Sequence, residues 1–143
     1  MTDSANVFSN EWGRLSWSPW IPLDASVDRY RAAISDQPGL YRVRSTGLPH
    51  LVYIGQTGRN LRERTRSLAS GVYRPANDPP WNDPHTAAPA LWAFRLEDGL
   101  SFKVSAAVCT VDTQNRQCWE DMLLYLHRLE LGERNVSMIV RQL

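Results

Sequence analysis

The sequence predicts a mixed α/β domain of the α+β type, in which a small three-stranded antiparallel sheet is flanked by helices. Two short runs rich in Val, Ile, Leu and Tyr enclose turn-forming residues at 45–49, which is the pattern of a β-hairpin. A continuous apolar, β-branched run at 102–111 predicts a buried third strand. Helix-spaced apolar residues at 114–131 predict the longest helix. The domain is therefore expected at 37–143, after an N-terminal extension at 1–36.

Composition limits the class of protein. The chain has 143 residues, which suits one domain with its own core, and a formal net charge of +1. That charge excludes a strongly basic protein that coats nucleic acid, but it permits a site with one positive wall. No apolar run is long enough to span a bilayer and the N-terminus lacks a signal pattern, so we expect no membrane association and a cytoplasmic location. Cys109 and Cys118 form no CxxC pair and are expected to be small core residues.

The N-terminal extension is expected to pack on the domain. Its first 21 residues are polar and carry three spaced tryptophans, which near a terminus pack against their own core more often than they bind a partner. These residues are Trp12, Trp17 and Trp20. Asp24 is the predicted N-cap of a short amphipathic helix that ends before Gln37. This helix leads into the first strand.

The hairpin and the helix after it carry the first candidate site. A side-chain period of two puts Tyr41 on one face of the first strand, and puts Tyr53 together with Leu51 and Gly55 on one face of the second. The two tyrosines can therefore meet across the strand pair. Asn60 is the predicted N-cap of a helix that continues to about residue 70.

Arginines are concentrated between residues 39 and 74. We count seven there against one acid, Glu63. Arginine suits bidentate contacts to phosphate, although the bias also fits the base composition of the gene. The seven residues are Arg42, Arg44, Arg59, Arg62, Arg64, Arg66 and Arg74.

The second half of the chain leaves two alternatives open. A loop at 72–89 is dense in Pro, Asn and Asp, and its Trp81 is either a stacking surface for nucleobases or a cover for the core. Residues 86–97 have helix spacing with Thr86 as a cap, but 90–96 also suit a strand. The long helix is predicted to stop at Gly132. Within it, Glu120 lies off the centre of the predicted apolar stripe. That stripe consists of Cys118, Met122, Tyr125, Leu126 and Leu129.

Five sequence elements in order resemble the GIY-YIG nucleases over residues 37–136. The two signature tripeptides are Gly39-Leu40-Tyr41 and Tyr53-Ile54-Gly55, with eleven residues between the tyrosines. The helix segment Asn60 to Arg64, the acidic Glu120 and the late Asn135 follow. This resemblance implies a compact α/β domain that binds DNA and cuts it with one divalent metal ion, Mg²⁺ or Mn²⁺.

The resemblance also implies a role for each residue. Glu120 would hold the metal and Arg64 would bind the scissile phosphate. Tyr41 would take the proton from the attacking water while Tyr53 orients it. A free tyrosine has a pKa of about 10, so the metal and nearby arginines would have to lower that pKa. The supporting residues, which shape the backbone or orient the site, are Gly39, Gly55 and Asn135.

One position departs from the family pattern. Many members carry a histidine one turn after the arginine, where this chain has Leu68. We expect His85 in the long loop to take its place, in preference to His50 or His127. The six remaining arginines are expected to contact DNA. They are Arg42, Arg44, Arg59, Arg62, Arg66 and Arg74.

Two other functions stay open. The loss of the histidine and the low net charge also fit a nucleic-acid-binding module that keeps the fold without cutting. The N-terminal tryptophans fit an interaction domain that recruits a partner. A nuclease with no separate recognition domain would need the long loop, a homodimer or a partner protein for sequence specificity.

Overall fold

A computed structural model describes residues 6–83, 85 and 87–131, together with the backbone of 140–141. The strands are β1 (Ile21–Pro22), β2 (Gly39–Ser45), β3 (Leu51–Thr57), β4 (Phe102–Val108) and β5 (Val140–Arg141). The helices are α1 (Val27–Ala33), α2 (Leu61–Val72), α3 (Ala88–Asp98) and α4 (Thr113–Leu131). This is an α+β fold, as predicted. None of the helices in the described ranges is long and apolar enough to cross a membrane.

The strands form one sheet in the order β1-β4-β2-β3-β5. The first four are antiparallel neighbours, whereas β5 runs parallel to β3. The prediction of three strands identified the three central seven-residue strands but missed both edges. The edge strands have only two residues each, too few to show an alternating pattern. β4 ends at Val108 rather than at residue 111.

The sheet separates two hydrophobic clusters. One face packs against α1, α2 and α3 and contains Tyr41, Val43 and Tyr53. The other face packs against α4 and the N-terminal segment, and Leu51 belongs to it. The predicted placement of Leu51 beside Tyr53 is wrong because the pairing of β2 with β3 skips Val52. Such a bulge interrupts the alternation of side chains between the two faces.

The N-terminal tryptophans pack on the second face of the sheet. Trp12 and Trp17 are buried, which confirms the prediction for these two, and Trp20 is partly buried. Each indole N–H has an acceptor within the protein. Trp12 Nε1 donates to Glu130 Oε1 at 3.0 Å, Trp17 Nε1 to the carbonyl of Trp12 at 2.7 Å, and Trp20 Nε1 to the carbonyl of Phe8 at 3.1 Å. These hydrogen bonds connect residues within the N-terminal segment and join the segment to α4.

Arg42 lies inside this N-terminal layer, so the prediction that it contacts DNA is wrong. Its side chain is fully buried, and its guanidinium carbon lies 4.3 Å from the ring centre of Trp17 and 4.5 Å from that of Trp20. The guanidinium donates to the carbonyl of Val7 and to Ser105 Oγ. Burial, with a smaller contribution from a neighbouring arginine, lowers the pKa of Arg42 to about 9. Strand alternation turns Arg42 away from the face that carries Tyr41.

Helices α1 and α2 begin at side-chain caps. Ser26, rather than the predicted Asp24, caps α1, and its hydroxyl accepts a first-turn backbone N–H at 3.3 Å. The predicted cap of α2 is confirmed, since Asn60 Oδ1 accepts the N–H of Glu63 at 3.1 Å. α2 continues to Val72, slightly beyond its predicted end.

The structure decides between helix and strand for α3, and it excludes one of the two roles considered for Trp81. Residues 88–98 are helical, so the helix is confirmed and the strand alternative is wrong, while the predicted cap Thr86 lies outside the described residues. Trp81 is 70% exposed and does not cover the core. Its ring centre lies 6.0 Å from that of Trp92 in an edge-on arrangement. A stacking role for Trp81 stays a prediction.

α4 buries a different face from the predicted one. Most of the predicted stripe is exposed, including Cys118, Tyr125 and Leu129. Gly132, its predicted stop, lies outside the described residues. Hydrophobicity alone selected the wrong face, because the buried face is largely polar. The buried residues are Arg116, Glu120, Leu123 and His127.

His50 and His127 form a buried pair between β3 and α4. Their ring centres are 6.4 Å apart, and His127 Nε2 accepts the backbone N–H of Leu51 at 3.1 Å. Accepting that bond requires the neutral ring, with its proton on Nδ1. Burial, and secondarily His50, lower the pKa of His127 to about 4.

The pKa of His127 predicts a loss of stability in acid. A histidine in the unfolded chain has a pKa of about 6.5, so between pH 6.5 and pH 4 the unfolded state binds a proton that the folded state excludes. The stabilisation is complete above pH 6.5 and falls by about 3 kcal/mol as the pH decreases to 4. Urea unfolding across this range measures it. His127→Gln keeps an acceptor without titrating, so its stability should depend less on pH; an unchanged pH dependence would contradict the assignment.

Truncating Trp17 predicts a large destabilisation. Trp17→Ala removes a buried indole that stacks on Arg42, and we expect the free energy of unfolding to fall by about 3–5 kcal/mol. Urea denaturation gives this value. Trp81→Ala is the matched control, since its ring is mostly exposed and the change should stay within about 0.5 kcal/mol. Equal effects of the two substitutions would show that the N-terminal segment is not part of the core.

Candidate active site

Tyr41 and Tyr53 meet across the β2–β3 pair, as the side-chain period predicts. Their ring centres are 5.7 Å apart and the rings are tilted by 48°. Tyr41 is paired directly with Gly55, and a Cβ built on Gly55 would lie 2.5 Å from Tyr41 Cζ and 2.8 Å from Tyr53 Cε2. Gly55 is therefore required because both rings cross its backbone. This confirms its expected role in close packing.

Gly39 allows a second close approach, at the other end of β2 from the hairpin loop. A Cβ at this position would lie 2.1 Å from the carbonyl oxygen of Ala107 on β4 and 2.8 Å from Leu61 Cδ1 on α2. Any larger residue would separate β2 from β4. Gly39 serves close packing within the sheet rather than a turn, since it is paired on both sides.

Arg64 reaches the tyrosine pair from α2. Its Nε donates to Tyr41 Oη at 3.5 Å, a long hydrogen bond, and its side chain is partly exposed. A hydrogen bond also joins the two phenol groups. The oxygen of Tyr41 is thus the point on which the other groups converge.

Glu120 completes the cluster from α4. It is 3% exposed, and its negative charge acts on both Tyr41 and Tyr53. The four predicted catalytic residues therefore lie together, although they come from two strands and two helices. Asn135, the remaining predicted member, lies outside the described residues.

Both tyrosines are neutral in this environment. Burial raises the pKa of Tyr41, and Arg64 only partly opposes this through its hydrogen bond and its charge. The pKa of Tyr53 is also raised, first by burial and then by Tyr41. Glu120 raises both pKa values further. The arginine acts in the predicted direction, but the protein's own charges do not lower the pKa of Tyr41 below its ordinary value.

An open cleft of about 460 Å³ lies beside this cluster. It is lined by Gln56, Thr57, Gly58, Arg59, Arg64, Thr113 and Arg116. Arg116 was not among the residues selected from the sequence. Its position four residues before Glu120 on one helix was the available signal, since such residues share a face.

His85 lies beside Arg64, the location expected for a substitute for the family histidine. Its Nδ1 is 2.7 Å from Asp83 Oδ1, and its Nε2 is buried. Burial lowers the pKa of His85; the hydrogen bond to Asp83 opposes this shift and the charge of Arg64 adds to it. Leu68, at the position where many GIY-YIG nucleases carry a histidine, belongs to the hydrophobic core. His50 and His127 interact with each other at the opposite end of β3.

Two more of the predicted DNA-binding arginines are partly buried by contacts within the protein. The guanidinium carbon of Arg44 lies 3.7 Å from the ring centre of Phe8. Arg62 Nε donates to the carbonyl of Ile34 at 3.0 Å. These side chains have a structural role whether or not they also contact a ligand.

The remaining three arginines are exposed. Arg74 pairs with Asp78 at 2.8 Å, which neutralises its charge locally. Arg66 projects from α2, and Arg59 lies in the turn before it. Of these three only Arg59 lines the cleft. The positively charged wall of the cleft is therefore narrower than the sequence indicated, because only two of the seven arginines, Arg59 and Arg64, line it.

Glu120 is the residue of this cluster that could hold a metal ion. Within the described ranges, no group of three or more His, Cys, Asp and Glu side chains lies together. A carboxylate nevertheless has the hard oxygen donors that Mg²⁺ prefers, and Mg²⁺ often takes one or two protein carboxylates with water and phosphate. The donor set therefore fits a site with a single carboxylate.

No family model, curated protein or solved structure matches this chain.

The two glycines predict different effects of an added methyl group. Gly39→Ala meets a backbone carbonyl, which cannot move without breaking the β2–β4 pairing, whereas Gly55→Ala meets two side chains that can turn aside. We expect Gly55→Ala to cost about 1–3 kcal/mol and to displace Tyr41 and Tyr53, and Gly39→Ala to cost more. Urea unfolding and a structure of the Gly55 variant test this. A variant at Gly55 with unchanged stability and ring positions would contradict the packing.

Proposed function

We propose that this protein is a divalent-metal-dependent DNA endonuclease of the GIY-YIG type. The observation that carries the proposal is the convergence of two phenols, a guanidinium and a carboxylate beside an arginine-lined cleft. Hydrolysis of a phosphodiester requires an activated water and a positive charge near the phosphoryl oxygens. Tyr41, Tyr53, Arg64 and Glu120 supply groups suited to both requirements.

Arg64 binds and polarises the phosphate in this mechanism. Its Nε lies at the Tyr41 oxygen, and its side chain also lines the cleft, so one guanidinium reaches both the phenol and a ligand. A planar guanidinium can donate two parallel hydrogen bonds to phosphate oxygens. These bonds strengthen as negative charge develops on the phosphoryl group.

Tyr41 acts as a phenolate: its own phenol proton first passes to solvent, and its oxygen then accepts a proton from the attacking water. Its oxygen accepts a hydrogen bond from Arg64, and the hydrogen bonds with Arg64 and Tyr53 both act to lower the pKa of Tyr41. Burial works in the opposite direction and keeps the phenol protonated in the protein alone. Glu120 would hold Mg²⁺ or Mn²⁺. The chemistry that such an ion supplies when bound is positive charge, which favours the phenolate and offsets charge on the phosphate.

His85 and the exposed surface contribute around this centre. His85 lies against the main chain of Arg64, and Asp83 orients its ring. DNA is the proposed partner, and the protein is proposed to act in the cytoplasm. Sequence specificity would come from the loop that carries Trp81, from a homodimer or from a partner protein.

A nucleic-acid-binding module that does not cut is the second candidate. The raised pKa values of both tyrosines and the near-complete burial of Glu120 favour it, because both oppose water activation in the protein alone. The two candidates differ in cleavage, not in binding.

Replacing Glu120 is expected to abolish cleavage. Glu120→Gln keeps the size of the side chain but removes the charge that would hold the metal, and we expect at least about a hundredfold loss of plasmid nicking in Mg²⁺ or Mn²⁺. Glu63→Gln, at an exposed position in the first turn of α2, is the matched control and should cut at the wild-type rate. Thermal unfolding of each variant verifies that the fold is intact.

Each outcome of this experiment has one meaning. Cleavage that persists in Glu120→Gln means that another carboxylate holds the metal. A pure wild-type protein that binds DNA but does not cut it in either metal supports the second candidate. Cleavage that EDTA does not inhibit would contradict metal dependence.

A further inference from the structure

Arg116 is a buried cation that the mechanism above does not use. It is 3% exposed, yet among the described residues its guanidinium donates to neutral acceptors alone. Nε donates to Gln56 Oε1 at 2.7 Å, Nη1 to the carbonyl of Val111 at 2.7 Å, and Nη2 to Thr113 Oγ1 at 3.2 Å. No ion pair joins it to a carboxylate in the described part of the chain. Burying a charge without an opposite charge is costly, so the site suits an anion.

Arg116 also retains donors for that anion. A guanidinium has five N–H groups, and the three hydrogen bonds use one on each nitrogen. One N–H on each terminal nitrogen therefore remains, as far as the described residues show. Two neighbouring N–H groups are the donors of a bidentate contact to phosphate.

The lack of a side chain at Gly58 lets the buried guanidinium of Arg116 border the cleft. A Cβ on Gly58 would lie 2.5 Å from Arg116 Nη2, and both residues line the cleft. The next residue, Arg59, is exposed and lines the same cleft. The turn after β3 thus brings the exposed Arg59 close to the buried Arg116 of α4, beside a space that a side chain at Gly58 would fill.

The site does not depend on a helix N-terminus. α4 begins next to the cleft, but its first turn is already capped, since Asp112 Oδ1 accepts the N–H of Asn115 at 2.8 Å. The cation that can bind a ligand here is the guanidinium of Arg116, which is held rigidly by its three acceptors. A rigid donor loses little conformational freedom when it binds.

We propose that Gly58, Arg59 and Arg116 form a second phosphate subsite, which binds the backbone phosphate next to the scissile one. This inference rests on the proposed function, because Arg64 in the same cleft then binds the scissile phosphate. The substrate is a nucleic acid strand that runs along the cleft and presents successive phosphates to Arg64 and Arg116. Arg116 is a binding residue, and Glu120 on the same face of α4 keeps the metal role.

Binding measured as a function of salt tests the subsite without requiring cleavage. Each phosphate contact that is lost reduces the slope of log K against log salt by about 0.9 for duplex DNA. In a Glu120→Gln background, we expect Arg116→Met to reduce the slope by about one and to weaken binding about tenfold or more. Arg59→Ala and Gly58→Ala should also weaken binding. If Arg116→Met does not fold, Arg59→Ala and Gly58→Ala still test the subsite, because Arg59 and Gly58 are exposed.

Arg31→Ala is the control, because Arg31 is exposed on α1 and does not line the cleft. The subsite is overturned if Arg59→Ala, Gly58→Ala and a folded Arg116→Met keep the slope and affinity of Arg31→Ala. A second arm uses inorganic phosphate alone at equal ionic strength. Phosphate that competes no better than chloride supports a backbone subsite, whereas competition at micromolar phosphate would overturn it in favour of a site for free phosphate.

The same measurements separate this inference from the proposed nuclease activity. Reduced slopes in the cleft variants, with a wild-type protein that does not cut, leave the subsite standing and contradict the nuclease. Cleavage by the wild type, with unchanged slopes in the cleft variants, confirms the nuclease and contradicts the subsite.

Discussion

The pairing of β2 with strands on both sides is the constraint on which the rest of the structure depends. β2 hydrogen-bonds to β3 along one edge and to β4 along the other, and both of its faces are covered. Successive residues therefore serve opposite layers. Tyr41 points towards α2 and the candidate site, while Arg42 points into the tryptophan-rich N-terminal layer. Gly39 allows the approach to β4 that this pairing requires.

Some arginines are engaged within the fold, and others line the candidate site. Arg42 is enclosed by indole rings and backbone carbonyls, and Arg74 is neutralised by an acid. Arg64 and Arg59 reach the cleft, where Arg116 joins them from a distant helix. A nearly neutral chain can in this way present a small positive surface. Such a surface suits contacts to a few phosphates rather than the broad coverage of a duplex.

The predictions from sequence succeeded where a pattern is local. The hairpin, the Asn60 cap and the meeting of Tyr41 with Tyr53 follow from turn residues, a side-chain cap and a two-residue period. They failed where a distant segment decides the environment. α4 buries Glu120 and His127 instead of its more hydrophobic stripe, because the charge of Glu120 acts on the tyrosine pair and His127 accepts the N–H of Leu51 at the start of β3. Hydrophobicity along one helix contains no information about what the opposing surface offers.

The sequence by itself determined the three central strands, the helices after β3 and β4, the α+β class and the set of groups proposed for catalysis. Only the tertiary structure decided which arginines face a ligand, that His85 rather than His50 or His127 lies beside Arg64, and that Arg116 belongs to the cleft. The physical reason is the distance along the chain over which each kind of interaction acts. Periods and caps act within a few residues, whereas burial and charge pairing depend on segments that meet only after folding.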